Sequence, residues 1–167
     1  MKPTALQEEA FLNFLEGNKA LIVKIAGIYC YNHIDRQDLI QDIILQLWKA
    51  FPTFDKVHAS TTWTYRIALN VSISHLRKAT TRKKTQNEYG QYAGLLQWNE
   101  HVVDERLEQL YNYINFLKPV EKAIIILHLD GVKNKEIAEI VGISATNTST
   151  RLDRIKEKIS NHLKSIK

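Results

Sequence analysis

Apolar residues recur at steps of three and four residues along most of this sequence. Between Asp35 and Phe51, the side chains that keep this spacing are Leu39, Ile40, Ile43, Ile44, Leu47, Trp48 and Phe51. Such spacing gathers apolar side chains on one face of an α-helix. No run alternates apolar and polar residues for long, and the 167 residues include only six glycines and three prolines. Strands therefore have little support, and we predict an all-α fold.

The N-terminal half is predicted to contain several helices. The apolar residues up to position 28 suggest two helices, separated near residues 17–18 where a glycine and an asparagine stand. Asp35 is well placed as the N-cap of the next helix, which is expected to end at Pro52. A further helix is expected from about Thr61 to Lys78.

Residues 80–101 show no sustained periodicity and are rich in Thr, Gln, Asn and Gly. This composition is typical of a flexible linker, here with a short helix around residues 95–98. Beyond it, helices are expected at residues 104–116, 119–130, 134–141 and 146–165. We therefore predict two small helical domains, residues 1–80 and 101–167, joined by a linker at residues 81–100.

The charge distribution permits a polyanionic partner. The formal net charge is +5 and the isoelectric point is near 9.2, with cations concentrated in residues 66–99 and 151–167. The single cysteine, Cys30, lacks the Cys and His companions of a zinc site, so we interpret it as a buried small residue. The sequence predicts no catalytic group, no metal site and no cofactor.

The N-terminal segment MKPTALQEEAFLNFLEG carries early charges and no unbroken apolar stretch. It therefore has the pattern of neither a signal peptide nor a membrane span. We expect a cytoplasmic protein without membrane insertion.

The strongest local signal is the segment NKEIAEIVGISATNTSTRLDRI. Ala138 is small enough to let two helices cross closely, Gly142 allows the positive φ of a tight turn, and Ser144 can cap the following helix. This is the pattern of a DNA-binding helix-turn-helix. The alternative is a helical interaction domain whose polar residues are merely solvated.

The second helix of this motif has one apolar and one polar face. Its inward stripe consists of Thr148, Leu152, Ile155, Ile159 and Leu163. The outward residues, expected to meet duplex DNA, are Asn147, Ser149, Thr150, Arg151, Asp153 and Arg154. Arg154 is the best candidate for reading a base, because an Arg fork bidentate to guanine contributes about 1–3 kcal/mol of discrimination.

Two polar groups in the N-terminal half suggest binding surfaces. Asp38, Gln41 and Asp42 share one helical face, which suits a partner surface better than the alternative, a Mg²⁺ site for a nuclease that would also use Asp35. The segment TTWTYRIALNVSISHLRK interleaves rings with cations, as single-strand binding surfaces do. Its candidate residues are Trp63, Tyr65, Arg66, Asn70, Arg77 and Lys78. Trp63 could equally belong to the core.

Taken together, these segments resemble an extracytoplasmic-function (ECF) sigma factor of the sigma-70 family. DLIQDIILQLWKAFPTF is similar to the family's core-polymerase-binding helix, and TTWTYRIALNVSISHLRK to its promoter-melting and minus-ten segment. LKPVEKAIIILHLDGVKNKEIAEIVGISATNTSTRLDRIKEKI is similar to the domain that reads the minus-thirty-five element. The resemblance implies a protein that is not an enzyme, binds core RNA polymerase and directs promoter-specific transcription initiation. The alternative is a stand-alone helix-turn-helix regulator, which leaves the acidic and aromatic segments unexplained.

The resemblance also implies roles for single residues. Those implied in binding the clamp-helices coiled coil of the largest polymerase subunit are Asp38, Gln41, Asp42 and Trp48. Those implied in minus-ten recognition and melting are Phe54, Trp63, Tyr65, Arg66, Asn70, Arg77 and Lys78. Asn70 and the loop at residues 54–60 would form a pocket for a flipped base. Those implied in minus-thirty-five recognition are Asn147, Ser149, Thr150, Arg151, Asp153 and Arg154.

Further partners follow from the same resemblance. The second domain would contact the flap of the other large polymerase subunit, and the linker would pass through the polymerase's RNA path. Promoter DNA is the nucleic-acid partner. An anti-sigma factor is a common partner in this family, although no residue of the sequence identifies one.

The recognition helix departs from the family's usual pattern. Thr146, Asn147 and Thr148 stand where the family usually has Gly-Thr-Val, and Ser149 stands where a basic residue is usual. Thr148 keeps the branched shape of Val, and we expect its hydroxyl to donate to a backbone carbonyl one turn earlier. The departure leaves the base preference of this helix open.

Overall fold

The computed structural model describes residues 5–55, 59–85 and 105–165. Every regular element in these ranges is helical, which confirms the predicted all-α class. The α-helices are α1 (Ala5–Tyr29), α2 (His33–Ala50), α3 (Ser60–Thr85), α4 (Glu105–Phe116), α5 (Pro119–Leu129), α6 (Asn134–Val141) and α7 (Ala145–Ser165). A 3₁₀ turn, Phe51–Thr53, follows α2 directly.

The chain divides into two compact units, Met1–Gly94 and Leu95–Lys167. The first contains α1, α2 and α3, and the second contains α4 to α7. The two predicted helical domains are therefore present, while the predicted boundaries at residues 80 and 101 stay a prediction. Residues 86–100 of the predicted linker, including the short helix expected at residues 95–98, lie outside the described residues.

The predicted break near residues 17–18 is wrong, because α1 runs through it. Asn18 is 3% exposed, and its side-chain Nδ2 donates to the carbonyl of Phe14 at 2.8 Å. Nδ2 is thus bonded within its own helix, while Oδ1 is buried without a hydrogen-bond partner among the described residues. Burial against the rest of the unit outweighs the weak helix propensity of Gly17 and Asn18.

The start of α2 also differs from the prediction. The N-cap is Asn32, whose Oδ1 accepts hydrogen bonds from the backbone N–H groups of Ile34 at 2.8 Å and Asp35 at 3.4 Å. Asp35 lies instead in the first turn, where its negative charge interacts favourably with the positive end of the helix dipole and stabilises the helix. Asn and Asp are about equally good N-cap residues, so the local sequence alone does not decide whether Asn32 or Asp35 caps the helix.

At its far end, α3 continues to Thr85, beyond the predicted end at Lys78. Thr80 and Thr81 donate their hydroxyl hydrogens to the carbonyls of Leu76 at 2.9 Å and Arg77 at 3.0 Å. Both threonine hydroxyls are thus bonded within the helix, and α3 extends into the segment that was predicted as linker from residue 81.

The core of the first unit lies where the three helices meet. It is formed mainly by aliphatic side chains, including Ile22, Ile25, Leu39, Ile43, Leu47, Ala68 and Leu69, each at most 2% exposed. Cys30 is 8% exposed, and burial raises the pKa of its thiol. The interpretation of Cys30 as a buried small residue is therefore confirmed.

The second unit has the predicted helix-turn-helix at α6 and α7. Its core contains Ile114, Ile124, Leu127, Ile137, Leu152 and Ile155, each at most 2% exposed. One charged residue, Lys122 on α5, is also buried at 3% exposure, and this burial lowers the pKa of its ammonium to about 8. The helix bounds of this unit agree with the prediction to within one residue.

Among the described residues, none of the helices combines the length and the apolar character that a membrane crossing requires.

Candidate functional site

The outer side of α2 carries the acidic face, defined as Asp38, Gln41 and Asp42. All three side chains are exposed, while Leu39 and Ile43 on the opposite side of the helix are fully buried. The i, i+3, i+4 spacing therefore places the three polar groups side by side in solvent, as the sequence predicts. In the described part of the chain, no group of three or more His, Cys, Asp or Glu side chains is arranged to hold a metal ion.

Beside the acidic face, α1 and α2 enclose an apolar groove. It is lined by Glu8, Phe11, Leu12, Gln41, Ile44, Leu45 and Trp48, and its volume is about 520 Å³. Leu12 is 62% exposed and Leu45 is 47% exposed, so each helix contributes accessible apolar surface to the groove. Gln41 and Trp48, both predicted to bind the polymerase, line this groove.

Sequence reasoning missed Leu12 and Leu45. Leu45 falls outside the buried stripe of α2, and an apolar residue on the polar side of an amphipathic helix is a signal that could have been noticed. Leu12 adjoins Phe11, which is buried at 6% exposure. Its pairing with α2 depends on the packing of the two helices and is not encoded locally.

A cleft of about 870 Å³ lies between α2 and α3. One wall carries the whole acidic face, and the other carries Asn70 and Lys78 of α3. Residues predicted for polymerase binding and residues predicted for minus-ten recognition therefore share one cleft.

The solvent side of α3 carries a polar stripe, defined as Arg66, Asn70 and Arg77. These residues are exposed, whereas Ala68 and Leu69 are buried between them. Their spacing of four and seven residues places them along one line of the helix. The stripe offers two guanidinium groups for phosphates and one amide for a base edge. Lys78 is exposed beside it, and Tyr65 is half-buried.

Six rings at one end of the first unit form an aromatic cluster, defined as Phe11, Phe14, Trp48, Phe51, Phe54 and Trp63. Phe11 meets Trp48 with ring centroids 4.9 Å apart and Phe51 at 5.2 Å. Trp63 meets Phe54 at 4.9 Å and Phe14 at 5.4 Å. Such edge and tilted contacts are favourable beyond the area that they bury.

The cluster bears on three predicted site residues. Trp48, Phe54 and Trp63 are each half-buried, so part of each ring is packed and part is accessible. The two interpretations offered for Trp63, as a core residue and as a binding residue, are both compatible with this position. Sequence reasoning named Phe51 only as part of the apolar stripe before Pro52 and did not single out Phe14; both rings contact several others in the cluster.

The turn between α6 and α7 has the predicted local chemistry. Gly142 adopts a φ of 78°, and its N–H donates to the carbonyl of Ala138 at 2.9 Å. Ser144 Oγ accepts a hydrogen bond from the N–H of Asn147 at 3.1 Å, which confirms Ser144 as a cap of α7. The buried Thr148 hydroxyl donates to the carbonyl of Ser144 at 3.0 Å, as expected from its position.

The polar side chains on the outer face of α7 differ in exposure and in hydrogen bonding. Arg154, Asp153, Thr150 and Asn147 are exposed. Arg151 is half-buried, and its Nε donates to Asn147 Oδ1 at 2.9 Å. That bond holds the Arg151 guanidinium against its own helix.

Ser149 is tied to the other helix of the motif. Its Oγ accepts a hydrogen bond from Asn134 Nδ2, at the start of α6, at 3.3 Å. Position 149, where the resembling family usually has a basic residue, thus carries a small hydroxyl that links the two helices of the motif.

Comparison with known protein families gives two matches. The model for sigma-70 region 2 matches residues 14–82, and the model for sigma-70 region 4 matches residues 107–159. The first match spans the acidic face, the polar stripe and most of the aromatic cluster. The second spans α6 and the exposed part of α7.

Curated relatives match along most of the chain. The ECF RNA polymerase sigma factor SigW of Bacillus subtilis is 25% identical over 171 residues, which cover 95% of this chain and 91% of the relative. The ECF RNA polymerase sigma-E factor of Haemophilus influenzae is 24% identical over 157 residues, covering 86% and 83%. The sigma-E factor of Escherichia coli K12 is 26% identical over 144 residues, covering 79% and 75%.

Two solved structures share the fold. The sigma factor RpoE of Bartonella quintana, in complex with the anti-sigma factor NepR, matches with a TM-score of 0.71 and 19% identity, covering 94% of this chain and 96% of that one. CnrH, in complex with the cytosolic domain of CnrY, matches with a TM-score of 0.66 and 19% identity, covering 95% and 90%.

Proposed function

This chain belongs to the sigma-70 family as an ECF sigma factor, which binds core RNA polymerase and directs promoter-specific transcription initiation, and from this premise we propose how its two units divide that work. The first unit binds the polymerase and the unpaired minus-ten strand, and the second binds the minus-thirty-five duplex. The observation that carries this proposal is the cleft in which the acidic face and Asn70 of the polar stripe stand on opposite walls.

The acidic face and Trp48 are proposed to bind the clamp-helices coiled coil of the largest polymerase subunit. The exposed carboxylates of Asp38 and Asp42 give this surface its charge, and the neighbouring groove adds accessible apolar area at Leu12 and Leu45. Interfaces commonly combine an apolar centre with a charged rim, so the groove is part of the proposed contact.

The polar stripe, with Lys78, is proposed to bind the unpaired minus-ten strand. Arg66, Arg77 and Lys78 are exposed cations suited to phosphates, and Asn70 offers both a donor and an acceptor to a base edge. Holding a base out of the stack requires protein contacts that offset a few kcal/mol of unstacking and unpairing. The accessible parts of Phe54, Trp63 and Tyr65 are the proposed stacking partners.

The exposed N-terminal half of α7 is proposed to enter the major groove of the minus-thirty-five element. Arg154 is the proposed base reader because its guanidinium is exposed and long enough to reach a base edge. Asn147, Ser149, Thr150, Arg151 and Asp153 complete this surface. Since Arg151 bonds to Asn147 and Ser149 bonds to Asn134, these residues are proposed to orient the surface as well as to touch DNA.

Further partners are proposed on the same basis. The second unit contacts the flap of the other large subunit, and the linker follows the RNA path of the polymerase. An anti-sigma factor is a proposed regulator, supported by two structural relatives that were solved with NepR and with CnrY.

The proposal is tested by reconstitution with bacterial core polymerase on a genomic promoter library, followed by mapping of transcription start sites. The expected result is a set of starts that share a minus-ten and a minus-thirty-five motif and that disappear when the chain is omitted. Starts without a shared upstream motif would contradict the role proposed for α7. Unchanged starts with an Asn70→Ala variant would contradict the role proposed for the polar stripe.

A further inference from the structure

The aromatic cluster is set apart from the core of the first unit. The core is aliphatic and close to fully buried, whereas five of the six rings, all except Phe11, are only half-buried. The rings come from the first half of α1, the end of α2 with its 3₁₀ turn, and the first turn of α3. This end of the unit is therefore held together by contacts between aromatic rings, separately from the aliphatic core.

Phe14 is the centre of the cluster. Its ring lies 5.4 Å from each of Phe51, Phe54 and Trp63, and 6.2 Å from Phe11, measured between centroids. Phe14 thus contacts Phe54, which follows the 3₁₀ turn, and Trp63, which lies at the start of α3. No role is assigned to Phe14 by the sequence pattern.

The contact with Trp63 acts on the helix that carries the polar stripe. Trp63 lies in the first turn of α3, where its N–H donates to the carbonyl of Ala59 at 3.2 Å. Arg66 is three residues further along and Asn70 seven, so all three lie on one side of the helix. A ring held edge-on by Phe14, with an interplanar angle of 81°, resists rotation of this turn about the helix axis.

We propose that Phe14 is a positioning residue for the unpaired minus-ten strand, which acts through Trp63 to fix the part of α3 that presents Arg66 and Asn70. The inference rests on the proposed function of the polar stripe. Phe14 itself does not touch the strand. Its ring sets the direction in which the guanidinium and the amide point, and hydrogen bonds to a base edge tolerate little misalignment.

The test uses the full chain in holoenzyme with core polymerase. The probe is a fluorescent single strand that carries the minus-ten motif of a promoter mapped with wild-type holoenzyme. Phe14→Leu keeps apolar volume and removes the ring, and Phe14→Tyr restores the ring. Leu15→Ala, at a half-buried neighbour on the same helix, is the matched control.

Phe14→Leu is expected to weaken strand binding about tenfold, the scale of losing one ordered base contact. Its association with core polymerase should stay within about twofold of wild type. Phe14→Tyr and Leu15→Ala should both bind like wild type. The slope of log affinity against log salt should change by no more than one phosphate contact with Phe14→Leu, because Arg66 is the one proposed phosphate-binding cation that is oriented through Trp63.

A double-mutant cycle separates positioning from general packing. If Phe14 acts through the stripe, Phe14→Leu should cost much less in an Asn70→Ala background than in wild type. Additive losses, or a parallel loss of polymerase binding, would overturn the proposal. Should Phe14→Leu be unfolded at the assay temperature, Phe14→Met takes its place with the same expectations.

Failure of the proposed function gives a different result. In that case wild-type holoenzyme would not select the minus-ten strand, or Asn70→Ala would leave its binding unchanged. If Asn70→Ala weakens binding and Phe14→Leu does not, the stripe binds the strand and the positioning role of Phe14 is wrong.

Discussion

At the level of single residues, the turn of the helix-turn-helix depends on a few atoms. Gly142 supplies the left-handed backbone, Ser144 caps α7, and the Thr148 hydroxyl is bonded to the carbonyl of Ser144. Each of these contacts lies within a few residues along the chain. Their effects can therefore be tested by single substitutions.

Replacing two of the glycines with alanine should change stability in opposite directions. Gly142→Ala places a Cβ at a φ of 78° and should destabilise the second unit by about 1–2 kcal/mol. Gly17→Ala lies inside α1, where the added Cβ meets nothing within 4 Å beyond the adjacent backbone of its own helix, and it should stabilise the first unit by about 0.5–1 kcal/mol. Amide hydrogen exchange measures the unfolding free energy of each unit separately. Equal signs for the two variants would contradict this account.

Arg154→Ala is expected to weaken transcription according to the upstream element of each promoter. A lost bidentate contact to guanine should cost about 1–3 kcal/mol at promoters that carry that base, and much less elsewhere. Lys164→Ala, at an exposed cation in the last turn of α7, is the control and should have a small, uniform effect. Competition between mapped promoters measures the difference. A uniform loss with Arg154→Ala would remove its base-reading role.

At the level of elements, single helices carry two surfaces at once. α2 buries Leu39, Ile43 and Leu47 on one side and exposes the acidic face on the other. Leu45 belongs neither to the buried side nor to the acidic face, and it lines the groove between α1 and α2. The same helix therefore contributes charge and apolar area to the proposed polymerase contact.

The two contributions should differ in their response to salt. Asp38→Ala and Asp42→Ala should weaken association with core polymerase, and the loss should shrink at high ionic strength because exposed charges are screened. Leu12→Ala and Leu45→Ala should weaken it to a similar extent at low and high salt. Glu16→Ala, an exposed acid on α1, is the control. Salt-independent losses for the aspartates would contradict a charged contact.

The buried ammonium of Lys122 on α5 predicts a pH dependence of stability. Its pKa is lowered to about 8 in the folded unit and returns toward 10.5 on unfolding. Between these values the unfolded chain binds more protons, so the unfolding free energy of the second unit should rise with pH, on the order of 1–3 kcal/mol in all. Below about pH 8 both states are charged, and Lys122 adds no pH dependence.

Lys122→Met removes the titrating group and is the reference for this prediction. The difference in unfolding free energy between wild type and Lys122→Met should shift in favour of wild type from about pH 7 to about pH 10. Comparing the two chains cancels the other titrating groups. A constant difference would show that the ammonium is not desolvated in the folded unit.

At the level of the whole molecule, the proposed function depends on the two units being joined in one chain. Each has its own core and its own proposed stretch of promoter. The polymerase provides the setting in which both can bind at once, and linked weak contacts gain affinity from their effective concentration.

The free chain should therefore bind promoter duplex weakly and with steep salt dependence, as expected from its net charge of +5. With core polymerase, binding should become tight and promoter-selective. Titration of labelled promoter with the free chain and with holoenzyme, at matched salt, measures both. Tight, selective binding by the free chain as a dimer would instead fit the stand-alone regulator.

Local pattern in the sequence was sufficient for the helices of the second unit, including the helix-turn-helix. Helical periodicity, a glycine able to adopt positive φ and a serine cap are properties of neighbouring residues, so α6, α7 and the Ser144–Thr148 contact were predictable. The acidic face followed from the same periodicity. The resemblance to a known family supplied roles that the residues alone left open.

Packing decided the rest, because it joins residues that are distant along the chain. The continuity of α1 through Asn18 depends on burial against the other helices, which no local rule contains. The meeting of Phe14 with Phe54 and Trp63 brings α1 against residues some forty and fifty positions away. A side chain's neighbours across helices follow from how those helices pack, and only the folded unit shows them.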